Sequence, residues 1–444
     1  MHKGASVLGV RFADLALFAV GLLVLTVTWN GIRVAGGALG NVFLTLAFVA
    51  VIVHAIVDKR PLPLPRWLCV AGVGFLLAGL LSVIFPPSVG LLQRSLQADM
   101  AIAVQDGVKA IGAVPSNTGT LLKFEAALVL VPVLIATVGT TPDRCRALIS
   151  LWTLGAIVNA AVGVADFSGI AHLTPVALSQ NRSAGLTIQS NYLALTCVLA
   201  IPTAMLWLGR SRRWTLAGVI GVLALLGGVY ASGSRAGTVA ALIALAATVV
   251  LVPRLRRGLK VLLPIAGVAL VLTLMFTNVG AGVVNQVRLG SGNTSAAVSD
   301  SQRSLLAQVA FDQVKVRPIE GVGFSVITNA HDIYLELLDA GGLIALASFA
   351  VFIGGVGGAA GKSLHGPLRE EGLVLAIAIA AWLLNGIFDN QVADKYLYIV
   401  PGLLLATSRT TWLETVADAG HSLVDPVRVP LAQALARAGV ASRL

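Results

Sequence analysis

Apolar runs of roughly 20 residues, separated by polar stretches, recur along the chain as far as about position 412. A run of that length crosses the hydrocarbon core of a bilayer as a helix, which satisfies its backbone N–H and C=O groups within the segment. Twelve runs qualify: 12–29, 38–57, 67–85, 124–138, 148–165, 191–208, 214–231, 236–252, 261–277, 341–359, 372–388 and 392–412. The pattern predicts an all-α polytopic membrane protein with about 12 transmembrane helices. Three polar stretches are long, at 86–123, 166–190 and 278–340; the last is an extracytoplasmic loop between helices 9 and 10. The first contains LLQRSLQADMAIAV, a candidate for a helix lying on the membrane surface. Residues 1–412 read as one transmembrane domain and 413–444 as a cytoplasmic tail, whose VPLAQALARAGVASRL suits an interfacial basic helix or a disordered end equally. GGVGG at 354–358 is expected to serve close helix packing.

Composition agrees with the pattern. The chain has 444 residues, 57% hydrophobic and 11% charged, with a mean hydropathy of +0.89. Soluble proteins carry about 25% charged residues. The net charge of +11 lies in short loops and does not form a nucleic-acid surface. With the N-terminus in the cytoplasm, every short basic loop falls on the inner side, including Lys59, Arg60 and Arg66; Arg210, Arg212 and Arg213; and Arg254, Arg256, Arg257 and Lys260. Both termini are then cytoplasmic. The first run is longer than a signal-peptide core and has no nearby A-x-A site, so it reads as an uncleaved helix. Cys69, Cys145 and Cys197 lack C-x-x-C spacing, and neither a disulfide framework nor a zinc site is expected.

The central turns of the runs are nearly free of charge. An ion-coupled transporter or flippase keeps ionisable groups there. The unusual polar residues instead gather at the predicted outer boundary: Arg182, Arg235, Arg303, His331 and Asp389. Arg235 lies in S-G-S-R-A-G at 232–237, a turn between two runs. It reads as a snorkelling arginine at a helix end, or as a permanently charged donor for phosphate oxygens. Arg182, in N-R-S-A-G at 181–185, has the same two readings, and Arg303 reads also as a solvated surface residue. His331 precedes a helical I-Y-L-E-L-L; it is a packed histidine or a base able to take a proton from a sugar hydroxyl.

The segment from His331 to Ala345 resembles the signature of the bacterial O-antigen ligase and O-antigen polymerase family: His, then Asn, Ser or Gln, nine residues, Gly, two residues, then Gly, Thr or Tyr. Gly342 falls in register, whereas Asp332 and Ala345 depart from it. R-P-I-E-G-V-G-F at 317–324, the S-G-S-R-A-G turn, Arg303, and Arg182 through Asn191 resemble further elements of that family, so the likeness covers roughly 181–345.

The resemblance implies an integral-membrane glycosyltransferase working outside the cytoplasmic (inner) membrane of a bacterium, in lipopolysaccharide or surface-polysaccharide biosynthesis. Its donor would be a glycan on undecaprenyl pyrophosphate. Its acceptor would be lipid A–core for a ligase or another glycan for a polymerase. His331 would deprotonate the acceptor hydroxyl for an inverting attack, while Arg182, Arg235 and Arg303 hold the pyrophosphate. Asp332 and Asn191 are candidates to support them, and Asp389 reads either as a group that orients the acceptor or His331 or as an ordinary helix-end residue. No metal or other cofactor is expected if arginines neutralise the leaving group, and the outer loops contain no D-x-D pair. A transporter or flippase, and a structural envelope protein indifferent to His331, remain the readings from other classes.

Overall fold

The computed structural model describes residues 6–7, 10–34, 37–85, 117–175, 182–208, 210–255, 294–324 and 330–424. The expected run at 261–277, the LLQRSLQADMAIAV segment and residues 425–444 lie outside these. The described residues are almost all helical. The strands among them are two antiparallel pairs of two-residue segments, Ser6–Val7 with Val10–Arg11 and Arg33–Val34 with Gly37–Ala38.

The helices are α1 (Phe12–Thr26), α2 (Leu39–Val57), α3 (Arg66–Ile84) and α4 (Asn117–Glu125), which passes through a π-helical stretch, Ala126–Leu130, into α5 (Val131–Val138). They continue as α6 (Pro142–Phe167), α7 (Ser190–Met205), α8 (Arg212–Ser232), α9 (Arg235–Leu251), α10 (Thr294–Val316), α11 (Ile333–Ser363), α12 (Arg369–Asn385) and α13 (Ile399–Val424). Among the described residues, six helical stretches are long and apolar enough to cross a membrane: Leu39–Val57, Arg66–Ile84, Gly119–Val138, Pro142–Phe167, Arg212–Ser232 and Ile333–Ser363. Helices α1, α7 and α9 are apolar but shorter. α10 is the polar exception and falls in the long loop expected between the ninth and tenth runs.

Helix α7 is the hub. It packs against α6, α8, α9 and α12, and nearly every residue from Leu193 to Met205 is buried. Small residues permit the approach: a Cβ on Gly228 would lie 2.8 Å from both Ala160 Cβ and Cys197 Sγ, and one on Gly237 would lie 2.6 Å from Ala194 Cβ. By contrast, α2 buries little of itself and presents Leu46, Val49 and Ile56 outward. In the glycine-rich part of α11, close packing holds at Gly355, which lies under the Trp67 ring, while nothing lies within 4 Å of a Cβ built on Gly354, Gly357 or Gly358.

Helix α11 is interrupted at Gly341 and Gly342, whose backbone is non-helical. Breaking a helix frees carbonyls and amides that must find other partners. The loop at 317–324 supplies them. Val322 N–H donates to the Asp339 carbonyl at 2.7 Å and Gly323 N–H to Ala340 at 2.9 Å, while Leu343 N–H donates to Pro318 at 2.8 Å. Gly342 has φ +61°, and a Cβ there would sit 2.1 Å from the Ile319 carbonyl oxygen, so only glycine fits. Phe324 completes the join by packing against Phe75 and Phe124, ring centres 6.4 and 6.1 Å away. This join holds α10 against the first turns of α11.

Candidate active site

The turn between α8 and α9 explains its own sequence. Helix α8 ends at Ser232, Gly233 takes a left-handed φ of +60°, and Ser234 caps α9 by accepting from Gly237 N–H at 3.2 Å. Arg235 is therefore the first residue of α9. A cation at the positive end of a helix is unfavourable by itself, so the position concentrates positive potential. Its guanidinium is met by Asp300 of α10: Nη1 donates to Oδ2 at 3.0 Å, and Nη2 donates to Oδ1.

Arg182 joins the same turn from the segment before α7. Its Nε donates to the Ser232 carbonyl at 2.6 Å and its Nη2 to Asn191 Oδ1 at 2.6 Å. The neighbouring Ser183 is anchored twice, by its N–H to the Ala231 carbonyl at 2.9 Å and by its hydroxyl to Asp166 Oδ2 at 3.0 Å.

Arg303 lies on α10 three residues after Asp300, and the face Asp300, Arg303, Ser304, Ala307 turns toward the cavity. Its Nε is buried with no hydrogen-bond partner among the described residues. Burial lowers the Arg303 pKa; Asp389 and Asp300 oppose that shift and Arg235 adds to it. Asp389, just beyond α12, is buried, and its carboxylate accepts from Asn390 N–H at 2.9 Å and from Gln391 Nε2 at 2.6 Å. Burial raises its pKa, while these hydrogen bonds and the Arg303 charge pull it down.

His331 precedes α11 and has φ +54°, a conformation costly for a side chain with a Cβ and one that functional residues often hold. The backbone around it is tied on both sides. Asp332 Oδ1 caps α11 by accepting from Tyr334 N–H at 2.8 Å and Leu335 N–H at 3.1 Å, while Ile333 N–H donates to the Gly386 carbonyl at 2.8 Å. Asp is as good a cap as the Asn or Ser expected at this place. His331 Nδ1 is buried and has no partner among the described residues. Burial, and then the Arg303 charge, lower the His331 pKa to about 4, so the imidazole is neutral at pH 7.

These groups share one space. A cavity of about 610 Å³ is lined by Arg235, Asp300, Arg303, His331, Asp332 and apolar residues that include Val239, Leu335 and Phe388. A narrower cleft adjoins it, lined by Arg182, Asn191, Arg235, Arg303 and Asp389. All seven residues singled out in the sequence thus border two pockets that have Arg235 and Arg303 in common. Sequence reasoning missed Asp300, Phe388 and Gln391. The signal available for Asp300 was its spacing of three from Arg303, indistinguishable from that of a solvated helix face.

Chemically, the cavity offers a neutral imidazole beside fixed cations, the arrangement for removing a proton from a hydroxyl while holding a polyanion. No curated protein matches the chain. Residues 220–350 match the family model for O-antigen ligase, a stretch that contains Arg235, Asp300, Arg303 and His331. Over that stretch the chain is similar to the O-antigen ligase family.

Proposed function

We propose that the protein is an inverting, metal-independent membrane glycosyltransferase that moves a glycan from undecaprenyl pyrophosphate to an acceptor hydroxyl, as an O-antigen ligase does. The observation that carries this reading is the shared cavity, which sets His331 Nδ1 and Arg303 Nε, both without a partner among the described residues, alongside Arg235. His331 takes the acceptor proton as the acceptor oxygen bonds to the anomeric carbon from the face opposite the leaving group. The bond from that carbon to the pyrophosphate oxygen breaks, and its electron pair stays on the pyrophosphate. Arg182, Arg235 and Arg303 bind that charge as it grows, more strongly in the transition state than before it. Asp389 holds the field around Arg303, Asn191 holds Arg182, and Asp332 holds the helix that presents His331.

The same reading puts the chain in the bacterial inner membrane with twelve crossings, both termini cytoplasmic, a transmembrane domain over 1–412 and the cavity facing outward. The basic loops support this arrangement. As a ligase it would take lipid A–core as acceptor; a polymerase would use the same groups on a second glycan. The test is purified protein supplied with an undecaprenyl-pyrophosphate glycan, with and without lipid A–core. Transfer to lipid A–core supports a ligase, chain growth without it supports a polymerase, and no transfer to either overturns the reading.

A further inference from the structure

We propose that Asp300 is an internal counter-anion of this site. Its carboxylate occupies Arg235 when no pyrophosphate is bound, lowers the affinity for the lipid-linked donor, and by returning to Arg235 speeds departure of the lipid pyrophosphate left after transfer. The inference rests on the glycan-transfer reading above and adds a residue to it.

The geometry is that of an exchangeable pair. Two carboxylate oxygens of Asp300 meet two nitrogens of one guanidinium, the planar two-pronged match that a pair of phosphate oxygens also makes. Asp300 stands on the wall of the same cavity as His331, so a ligand reaching Arg235 meets it directly. Its side chain is 51% exposed, against 29% for Arg235, which leaves it room to swing aside. Arg303, one turn further along the same face, keeps its buried Nε without a partner among the described residues. One arginine of the cavity is therefore paired with a carboxylate, while the other keeps a nitrogen without a partner among the described residues.

Charge explains why the pairing is useful. The donor is a pyrophosphate diester with two negative charges. Transfer leaves a pyrophosphate monoester, which carries a further ionisable oxygen. Fixed arginines bind the product more tightly than the donor, and the site would then be slow to clear. A carboxylate that competes for one arginine weakens both complexes and restores turnover. A half-exposed ion pair contributes about 1 kcal/mol or less, so the effect on affinity is about twofold to fivefold.

The experiment uses the full chain in detergent or nanodiscs, with inorganic pyrophosphate as binding probe and the lipid-linked glycan as substrate. Asp300→Asn should bind pyrophosphate about twofold to fivefold more tightly and lower the donor KM by a similar factor, with Asp300→Glu staying close to the parent. In an Arg235→Ala background the Asp300→Asn effect should vanish. Damage to the fold weakens binding, so it cannot imitate this gain. Unchanged or weaker binding in Asp300→Asn, with the parent protein still transferring glycan, overturns the role of Asp300 alone. A parent protein that neither binds pyrophosphate through Arg235 nor transfers glycan overturns the transfer reading and this inference with it.

Discussion

Arg182 Nε donates to the carbonyl of Ser232 at 2.6 Å, across 50 residues of sequence. The bond makes the segment before α7 and the turn between α8 and α9 one structure. It also holds the Arg182 guanidinium in the plane that lets Nη2 reach Asn191. Two arginine motifs that look independent in sequence therefore act as one cationic surface.

Asn191→Ala removes the Oδ1 acceptor for Arg182. A hydrogen bond to a charged group contributes about 1.5–3 kcal/mol. The expected result is a loss of roughly tenfold to a hundredfold in kcat/KM, seen mainly as a raised donor KM. Steady-state kinetics with varied lipid-linked donor measure it.

His331→Ala should abolish turnover while the protein still inserts and purifies. The pH profile tests the same group. With its pKa lowered to about 4, the imidazole is neutral through the physiological range. The kcat/KM should stay flat from neutral pH to about pH 5 and fall as pH nears 4, because protonation removes the base. An acid limb near 6.5 or above would count against this assignment. Stability follows the same sign. The folded pKa lies below the unfolded value of about 6.5, so the folded state binds fewer protons. This contribution is complete above about 6.5 and is lost as pH falls toward 4; His331→Ala should flatten thermal stability across that window.

Gly342→Ala places a Cβ 2.1 Å from the Ile319 carbonyl oxygen at a residue with φ +61°. Backbone strain of this kind costs about 1–3 kcal/mol, and the contact also pushes the 317–324 loop off α11. A lower melting temperature in detergent and a drop in activity should appear together.

Asp332→Ala removes the cap of α11 and should cost about 1 kcal/mol of stability, whereas Asp332→Asn should retain most of it. Thermal unfolding of the two variants side by side decides whether the carboxylate serves as a cap.

Hydropathy made the helical, membrane-embedded character of the chain legible, because apolar runs of about 20 residues have few other stable uses. It did not rank the helices. Leu39–Val57 is among the most apolar stretches and yet lies at the edge, while α7 is shorter and buried on all sides. Lipid tails and protein interior are both apolar, so a residue facing either one looks the same in sequence. The polar residues that line the two pockets were legible one at a time, as polar groups where polar groups are costly. Their company was not: Asp300 reads as an ordinary acid on a polar helix until the tertiary structure brings α10 against the start of α9.

The amino-acid order by itself determined which segments are apolar enough to be membrane helices and which side chains are too polar to sit in lipid without a reason. Tertiary structure decided that Arg182, Arg235, Arg303, Asp389 and His331 border adjoining pockets, and which carboxylate faces which cation. The physical reason is range. Helix formation and hydrophobic patterning are set within a few turns of chain, whereas a charged site is assembled by packing between helices tens of residues apart, a relation that local sequence does not encode.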